Sequence, residues 1–434
     1  MNKKEQLNNK LLDFGVNTDQ IQKLFGGGET LKLVNKVESK VNWFSDKDLK
    51  TISKDLDEAK DLILIILANF TNTWVVSQSH NNVRKSEGHK RLDSIILQGQ
   101  VDSRKSNKYK IILDLLIKYG IIEKTANYFV GDKCNEYKLT KPYFGKGTAI
   151  YNLKTNIATE LNSKYLSSQV RKATSTVLGR NSIKMYSKIE LPTVDEVKEI
   201  LKQAVKGKYI NKKGKRLVNT GKNPNRYNPE EFIFTEAYLK IFNDLTIQYM
   251  VPIVTGENAG HRVIDSLNMM PSLIRQHITL DGQKLVECDY GSLHPNIANR
   301  VYRGENQVNI NHDTVSSFLG ITRKESKVLH LSFLNLRVED MKRSPLYDFY
   351  KANHLDLLIK IEDDKLRHKT HKITSQKMFA VETQMMSLAV ERLDKEGIDV
   401  VYIFDALYAK EIDSDRVAQV MNEVAKEFKV LTTV

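Results

Sequence analysis

The sequence predicts an α+β protein assembled from several modules, and three observations support this. The chain has 434 residues, which is long for a single domain. Residues 56–145 alternate between helical periodicity and short β-branched runs. In the C-terminal half, two apolar runs rich in β-branched residues each deliver one aspartate, Asp289 or Asp405, to the end of a predicted strand.

The composition is that of a globular protein with an excess of positive charge. Apolar residues make up 41% of the chain and charged residues 28%, and the net charge is +14. Such a chain has either a solvated lysine-rich surface or a polyanionic partner, since clustered cations bind phosphate backbones by releasing counterions. The charge alone does not choose between these two interpretations.

Neither the cysteines nor the apolar segments indicate an extracellular or membrane protein. The two cysteines, Cys134 and Cys288, lack metal-ligand spacing and suggest no disulfide framework, which fits a reducing compartment. The longest apolar stretch, residues 62–68, is far too short to span a bilayer, and the N-terminus leads into no apolar segment. We therefore expect a cytoplasmic protein with no membrane partner.

Residues 1–55 are polar and predict a segment of short helices, whereas residues 56–145 form one predicted module. The module contains two helices and then two strands, over residues 57–70, 108–119, 121–128 and 136–140. This order resembles a winged-helix domain. The resemblance implies binding to duplex DNA through four cations near the second helix, Arg104, Lys105, Lys108 and Lys110. The alternative is a winged helix that contacts proteins.

The two aspartates are the residues on which a chemical interpretation depends. Asp289 follows an apolar run and precedes a predicted helix that has Pro295 in its first turn, and Asp405 lies in a predicted β-turn. Two carboxylates fixed by strands can hold two hard divalent cations around a triphosphate. The alternatives are that Asp289 caps the helix and that Asp405 is an ordinary turn residue.

The segment around Asp289 resembles motif A of the family A DNA polymerases and of the related single-subunit RNA polymerases. Those enzymes have an arginine, then Asp-Tyr-Ser and a helix, and here Arg275 precedes Asp289-Tyr290-Gly291-Ser292 in the same order. Gly291 replaces the usual serine. His294 stands where the DNA enzymes have a glutamate and the RNA enzymes a glycine.

A second resemblance concerns the helix that grips the incoming nucleotide in this family. Thr322 and Glu325 predict a capping box, and Arg323, Lys327 and Leu331 follow at i, i+4 and i+8 on one face. The family pattern is Arg-x3-Lys-x3-aromatic, so Leu331 departs from it. The alternative is a basic helix that only faces solvent.

The third resemblance covers the segment that ends in Asp405. Residues 378–393 predict a long helix, and in the family this helix touches the primer–template minor groove, at positions matched by Glu382, Thr383 and Gln384. Motif C of the family, a strand, His-Asp and a second strand, is similar to residues 403–411, with Phe404 in place of the histidine and Ala406 in place of the common glutamate.

Together, over residues 256–411, these resemblances imply a right-hand polymerase with an antiparallel palm sheet. The implied parts are a thumb-like helical region (146–251), the palm (252–303 and 375–434) and the fingers (304–374). Asp289, Asp405 and the Tyr290 carbonyl would hold two Mg²⁺ ions, for which Mn²⁺ can substitute. The nucleotide would contact Arg323, Lys327, Leu331 and His294, with His294 as a steric gate against ribose. Primer–template DNA would contact Arg262, Arg275 and Gln384.

The expected function is therefore that of a DNA-directed DNA polymerase that takes a DNA primer–template and nucleoside triphosphates. No 3′–5′ exonuclease constellation precedes the palm segments, so proofreading is not expected. The lysine-rich composition suggests a phage or another mobile element in a bacterial host. Two alternatives remain open: an RNA polymerase or primase on the same palm, and a non-catalytic DNA-binding regulator with a degenerate palm.

Overall fold

The computed structural model describes residues 28–71, 88–102, 107–126, 135–144, 148–211, 214–219, 228, 231–246 and 252–434. These residues form two compact units. Unit 1 contains the described residues up to 171 and those between 193 and 246, and unit 2 contains residues 172–192 and 252–434. Among the described residues, no helix is long and apolar enough to cross a membrane.

The strands in chain order are β1 (Thr30–Val34), β2 (Lys90–Arg91), β3 (Ile122–Ala126), β4 (Glu136–Leu139), β5 (Thr148–Asn152), β6 (Ile189–Glu190), β7 (Arg216–Val218), β8 (Phe232–Phe234), β9 (Ile253–Val254), β10 (Val263–Ile264), β11 (Thr279–Leu280), β12 (Gln283–Asp289), β13 (Val401–Ile403) and β14 (Ala406–Lys410).

The α-helices in chain order are α1 (Val37–Val41), α2 (Asp46–Leu49), α3 (Leu56–Ala68), α4 (Ser94–Val101), α5 (Lys108–Lys118), α6 (Asn156–Thr174), α7 (Val177–Tyr186), α8 (Val194–Lys206), α9 (Thr235–Thr246), α10 (Ser266–Met269), α11 (Ser272–Arg275), α12 (Leu293–Arg303), α13 (His312–Leu319), α14 (Arg323–Phe333), α15 (Val338–Met341), α16 (Pro345–Asn353), α17 (Leu355–Arg367), α18 (Ile373–Lys395) and α19 (Ser414–Glu427). Helices and small sheets, antiparallel except for the parallel pair β7–β8, together make this an α+β protein, as the sequence predicts.

In unit 1, the predicted helix–hairpin order is confirmed. Helix α5 ends just before Gly120, which has a positive φ of 69°, and β3 then pairs antiparallel with β4 from Ile122↔Leu139. Strand β2 joins this pair, so the sheet order is β2-β4-β3. The predicted turn between β3 and β4, at residues 130–133, lies outside the described residues.

The expectation of only short helices in residues 1–55 is wrong at one point. Residues Thr30–Val34 form β1, which pairs antiparallel with β5 along its whole length. Leu31 and Leu33 are buried in the unit 1 core, and burial of these side chains against a distant strand outweighs local preference. Residues 1–27 of this segment lie outside the described part of the chain.

One apolar core joins the parts of unit 1, from Leu31 in β1 to Ala158 in α6. The side chain of Asp61 in α3 is fully buried. It accepts hydrogen bonds from the Tyr151 hydroxyl at 2.8 Å and from the backbone N–H of Thr155 at 2.8 Å. The core of unit 1 therefore runs across residues 55 and 145, where the sequence suggests module boundaries.

Unit 2 is built on an antiparallel sheet of five strands in the order β13-β14-β12-β11-β6. Helix α19 packs on β12 and β14, and α18 packs against α7, α12 and α19. Residues 304–374 contribute only helices, and their side chains Val315, Phe333 and Tyr350 share one core with Leu407 of the sheet. The predicted fingers and palm segments thus lie within a single compact unit.

Candidate active site

The sheet of unit 2 brings the two aspartates together. Strand β12 pairs antiparallel with β14 so that Asp289 lies opposite Ala406, the residue directly after Asp405. Opposite residues on antiparallel strands have Cα atoms about 5 Å apart. The tight turn between β13 and β14 consists of Phe404 and Asp405, with Phe404 in the left-handed region at φ 55°. Both carboxylates therefore lie at the same end of the sheet.

Asp289 is not the N-cap of the following helix, which was the alternative interpretation. The N-cap of α12 is Ser292, and α12 begins at Leu293. The backbone between strand and helix is held by the C-terminal residues, because the Gly291 N–H donates to the Thr433 carbonyl at 2.9 Å and the Thr432 hydroxyl donates to the Gly291 carbonyl at 2.7 Å. Strand and turn together fix the position of Asp289.

Tyr290 is buried and holds the same segment against α19. Its hydroxyl donates a hydrogen bond to the Met421 carbonyl of α19 at 2.6 Å. The side chain therefore serves packing, and the role that the sequence suggests for Tyr290 belongs to its backbone carbonyl.

Asp405 shares its surroundings with the carboxylate of Glu382 and with the side chains of His294 and Arg262. Burial raises the pKa of Asp405 above its ordinary range, and the nearby Glu382 carboxylate raises it further, while His294 and Arg262 oppose the shift. A carboxylate in this situation gains from any cation brought beside it. Carboxylate and carbonyl oxygens are also the donors that Mg²⁺ prefers, so the residues present fit a divalent cation site.

A lysine already lies beside the other aspartate. Lys327 Nζ of α14 is 3.8 Å from Asp289 Oδ2, and the Lys327 side chain is 51% exposed. Helix α14 starts with the predicted capping box, since Thr322 accepts from the Glu325 N–H and the Glu325 carboxylate accepts from the Thr322 N–H. This cap fixes the start of the helix and hence the face that Lys327 occupies.

The other two members of the predicted nucleotide-binding face lie differently. Arg323 is exposed and forms an ion pair with Asp313 of α13, with Nε 3.2 Å from Oδ1. Leu331 belongs to α14, and its side chain lies outside the described part of the structure. Of the three, Lys327 is the residue that the structure places against an aspartate of the candidate site.

A buried ion cluster stands next to Asp405. The Glu382 side chain in the middle of α18 is fully buried, and its Oε1 accepts a hydrogen bond from Arg262 Nε at 2.7 Å. His294 Nε2 lies 2.6 Å from Glu382 Oε2, and Arg262 Nη2 also contacts that oxygen. Burial alone would lower the pKa of His294, but the hydrogen bond and charge of Glu382, with the charge of Asp405, give a net rise. Because an ionised carboxylate only accepts hydrogen bonds, His294 Nε2 donates to Glu382.

Two of the predicted DNA-contacting residues are engaged inside unit 2. Arg262 is largely buried in the cluster with Glu382, its side chain only 16% exposed. Arg275 donates to the Tyr408 hydroxyl at 3.0 Å and to the Met270 carbonyl at 2.8 Å, and its guanidinium lies over the Tyr408 ring. Both arginines therefore stabilise the interior of unit 2: Arg275 contacts strand β14, and Arg262 contacts Phe404 in the turn.

The third predicted contact, Gln384, lines an open groove of about 370 Å³ along α18. Gly260, with a φ of 66°, also lines the groove, and a Cβ there would collide with the backbone of Phe379 in α18. Glycine is therefore required for this close approach of loop and helix. Thr383 also lines the groove.

In unit 1, two of the four predicted DNA-binding cations are described. Lys108 and Lys110 occupy the first turn of α5, where Lys110 is exposed and Lys108 Nζ lies 4.0 Å from Glu58 Oε1. Arg104 and Lys105 lie outside the described residues.

Two buried histidines, one at the start of α13 and one within α14, pack against each other where these two helices meet. His330 Nε2 lies 3.2 Å from the Tyr350 hydroxyl, and the His312 and His330 rings meet edge to face at 4.9 Å. Burial, joined by the charges of Lys327 and Arg323, lowers the pKa of His312 to about 4. Burial and the neighbouring His312 lower the pKa of His330 to about 3.

Acidification should therefore destabilise the protein through these histidines. In the unfolded chain the two histidines bind protons below about pH 6.5, whereas in the folded protein they do so only near pH 3 to 4. Protons therefore bind the unfolded chain preferentially, and the folding stability that is present at pH 7 is lost as the pH falls. We expect the free energy of unfolding to fall by about 2 kcal/mol or more between pH 7 and pH 5. Urea unfolding at both pH values measures this. The variant His330→Phe should lose less stability on acidification than the wild type. The control His277→Gln, at an exposed site, should lose as much as the wild type. An equal loss in His330→Phe and wild type would contradict the role of His330 in the pH dependence.

Glu382 is the site residue whose role the sequence did not reveal. The sequence suggested a contact with DNA, and the structure places its carboxylate in the interior. The available signal was a glutamate on the apolar face of a methionine-rich helix, since a buried charge requires a partner. The partner, Arg262, belongs to a distant segment.

The described residues contain no group of three or more His, Cys, Asp or Glu side chains that could hold a metal ion. A centre at Asp289 and Asp405 would thus complete its coordination with backbone, water or substrate oxygens. Comparison with protein-family models and with curated proteins finds no match to the chain.

Proposed function

We propose that the chain is a template-directed nucleotidyltransferase, a DNA polymerase of the family A type without proofreading. The observation that carries the proposal is the pairing of Asp289 with Ala406, which puts Asp289 and Asp405 at one end of adjacent strands. The position of Lys327 supports it, because this cation is within reach of the Asp289 carboxylate and of a triphosphate bound beside it. Residues 252–303 and 375–434 would form the palm and 304–374 the fingers. Residues 172–192, whose strand β6 extends the palm sheet, would join the palm, and the rest of 146–251 would form a thumb-like region.

Different residues of the site would bind the metal ions and the triphosphate. Asp289, Asp405 and the Tyr290 carbonyl would hold two Mg²⁺ ions, which when bound activate the primer hydroxyl and neutralise developing charge. Lys327 would exchange its ion pair with Asp289 for phosphate oxygens of the nucleotide. Arg323, whose exposed side chain is not fixed by packing, would leave Asp313 to join it.

Unit 1 supports the DNA-binding part of this proposal. Its order of helix α3, strand β2, helices α4 and α5 and hairpin β3–β4 resembles that of a winged helix. The chain's net charge of +14 suits a phosphate backbone as partner.

Alanine at both Lys108 and Lys110 should weaken binding to duplex DNA. For each phosphate group that the variant no longer binds, the slope of log K against log salt should flatten by about 0.9. Fluorescence anisotropy between 50 and 200 mM salt, a range in which such contacts change affinity strongly, measures the slope. Lys118→Ala is the matched control, since Lys118 lies at the other end of α5 and pairs with Asp48 at 2.8 Å. If the double substitution left the slope unchanged, the module would instead be a protein-binding winged helix.

Primer extension with Mg²⁺ tests the proposed function. The wild-type protein should extend a primer on a DNA template with dNTPs and much less with NTPs. Preferential use of NTPs would favour the single-subunit RNA polymerase or primase. DNA binding without any incorporation would favour a non-catalytic regulator.

A further inference from the structure

The cluster around Glu382 is anchored on α18 and includes His294, the residue that the sequence suggests as the steric gate. The Arg262 guanidinium carbon lies 3.5 Å from the centre of the Phe379 ring, one turn before Glu382, and 5.6 Å from the ring of Phe404, the residue before Asp405. The His294 ring meets Phe379 edge to face at 5.7 Å. The position of the His294 ring is therefore set by α18 as well as by its own helix, α12.

A histidine on the first turn of a helix can change rotamer at little cost unless a partner holds it. Here the partner is a fully buried carboxylate 2.6 Å from Nε2. Turning the ring away would leave that carboxylate with one hydrogen-bonding partner fewer, and a buried carboxylate that loses a partner costs more than an ordinary hydrogen bond. A steric barrier excludes a ligand group only while the ring is prevented from moving, so this hydrogen bond determines whether His294 can act as a barrier.

We propose that Glu382 is a positioning residue for sugar specificity: it holds the His294 ring against the 2′ position of the bound nucleoside triphosphate, so that 2′-deoxyribose is accepted and ribose is excluded. The inference rests on the proposed function, because it requires a nucleotide sugar beside His294. Arg262 takes part by donating a hydrogen bond to the buried Glu382 carboxylate and pairing with its charge. The specificity of the site is thus shared between α12 and α18.

The test compares kcat/KM for a dNTP and for the matching NTP in a set of variants. His294→Gly and Glu382→Ala should each lower the deoxyribose preference roughly ten- to a few hundred-fold, mainly by improving ribonucleotide use. Glu382→Gln keeps an acceptor for His294 and should retain most of the preference. The control Glu427→Ala breaks an exposed ion pair with Arg392 and should leave the ratio unchanged. A purely structural role of Glu382 would lower both kcat/KM values alike.

Glu382→Ala leaves Arg262 without its carboxylate partner and could unfold the protein. A second variant therefore removes both charges of the pair. Arg262→Met combined with Glu382→Leu removes the partner of His294 without leaving a buried charge, and it should relax the ratio in the same way. An unchanged ratio in folded Glu382 variants, with a relaxed ratio in His294→Gly, would overturn this inference and leave the proposed function intact. An unchanged ratio in His294→Gly, or a wild type without deoxyribose preference, would also overturn it. A wild type that incorporates no nucleotide would overturn both.

Discussion

Replacing Asp289 or Asp405 by asparagine should lower nucleotide incorporation by at least about a thousandfold. Each substitution removes one negative charge from the end of the β12–β14 pair and replaces one acceptor oxygen by an NH2 group, but preserves side-chain shape. Cation binding should weaken, whereas folding and affinity for primer–template should be nearly unchanged. Because the two carboxylates act as one unit, the double variant should be little worse than either single variant.

Three measurements define this result. Primer extension gives the activity, urea unfolding gives the free energy of unfolding, and filter binding gives DNA affinity. Asp281→Asn is the matched control, because Asp281 lies on the turn between β11 and β12 of the same sheet, is exposed and pairs with Lys410. Wild-type extension by Asp289→Asn or by Asp405→Asn would remove the active-site assignment.

Lys327→Ala should raise the nucleotide KM about tenfold to a hundredfold, since the variant cannot form a charge-assisted hydrogen bond with the triphosphate. DNA affinity should change little. The structure adds a second expectation: Lys327 competes with cations for Asp289 at 3.8 Å, so less Mg²⁺ should be needed for half-maximal activity in the variant. Steady-state kinetics over nucleotide and Mg²⁺ concentrations give both quantities.

The control for this experiment lies on the same helix. Lys324 is exposed, is three residues from Lys327 and makes no predicted nucleotide contact. Lys324→Ala should behave as wild type. If Lys327→Ala weakened primer–template binding and left the nucleotide KM unchanged, α14 would be a DNA-contact surface.

Local signals in the sequence were sufficient for several elements. The hairpin around Asp405 follows from two apolar runs that flank a short turn, and the start of α14 follows from the Thr322–Glu325 capping box. The long helix α18 follows from helical periodicity that ends before Gly397, which has a φ of 75°. In each case the deciding interactions lie within a few residues of one another.

The remaining features depend on contacts between distant segments. Strand β1 forms because Leu31 and Leu33 are buried against a partner strand that ends at Asn152, and no local pattern reveals that partner. The ion pair between Glu382 and Arg262 and the approach of Lys327 to Asp289 likewise join segments that only the fold brings together. The sequence therefore predicts which residues carry the chemistry better than it predicts which of them touch.

The most direct test of template-directed synthesis is single-nucleotide extension on four templates that differ only in the first templating base. With Mg²⁺ and one dNTP at a time, the wild-type protein should add a nucleotide efficiently only when it is complementary to that base, and Asp405→Asn should add none. Addition that ignores the template base, or no addition with any of the four dNTPs, would contradict the proposal that Asp289 and Asp405 form the centre of a DNA polymerase.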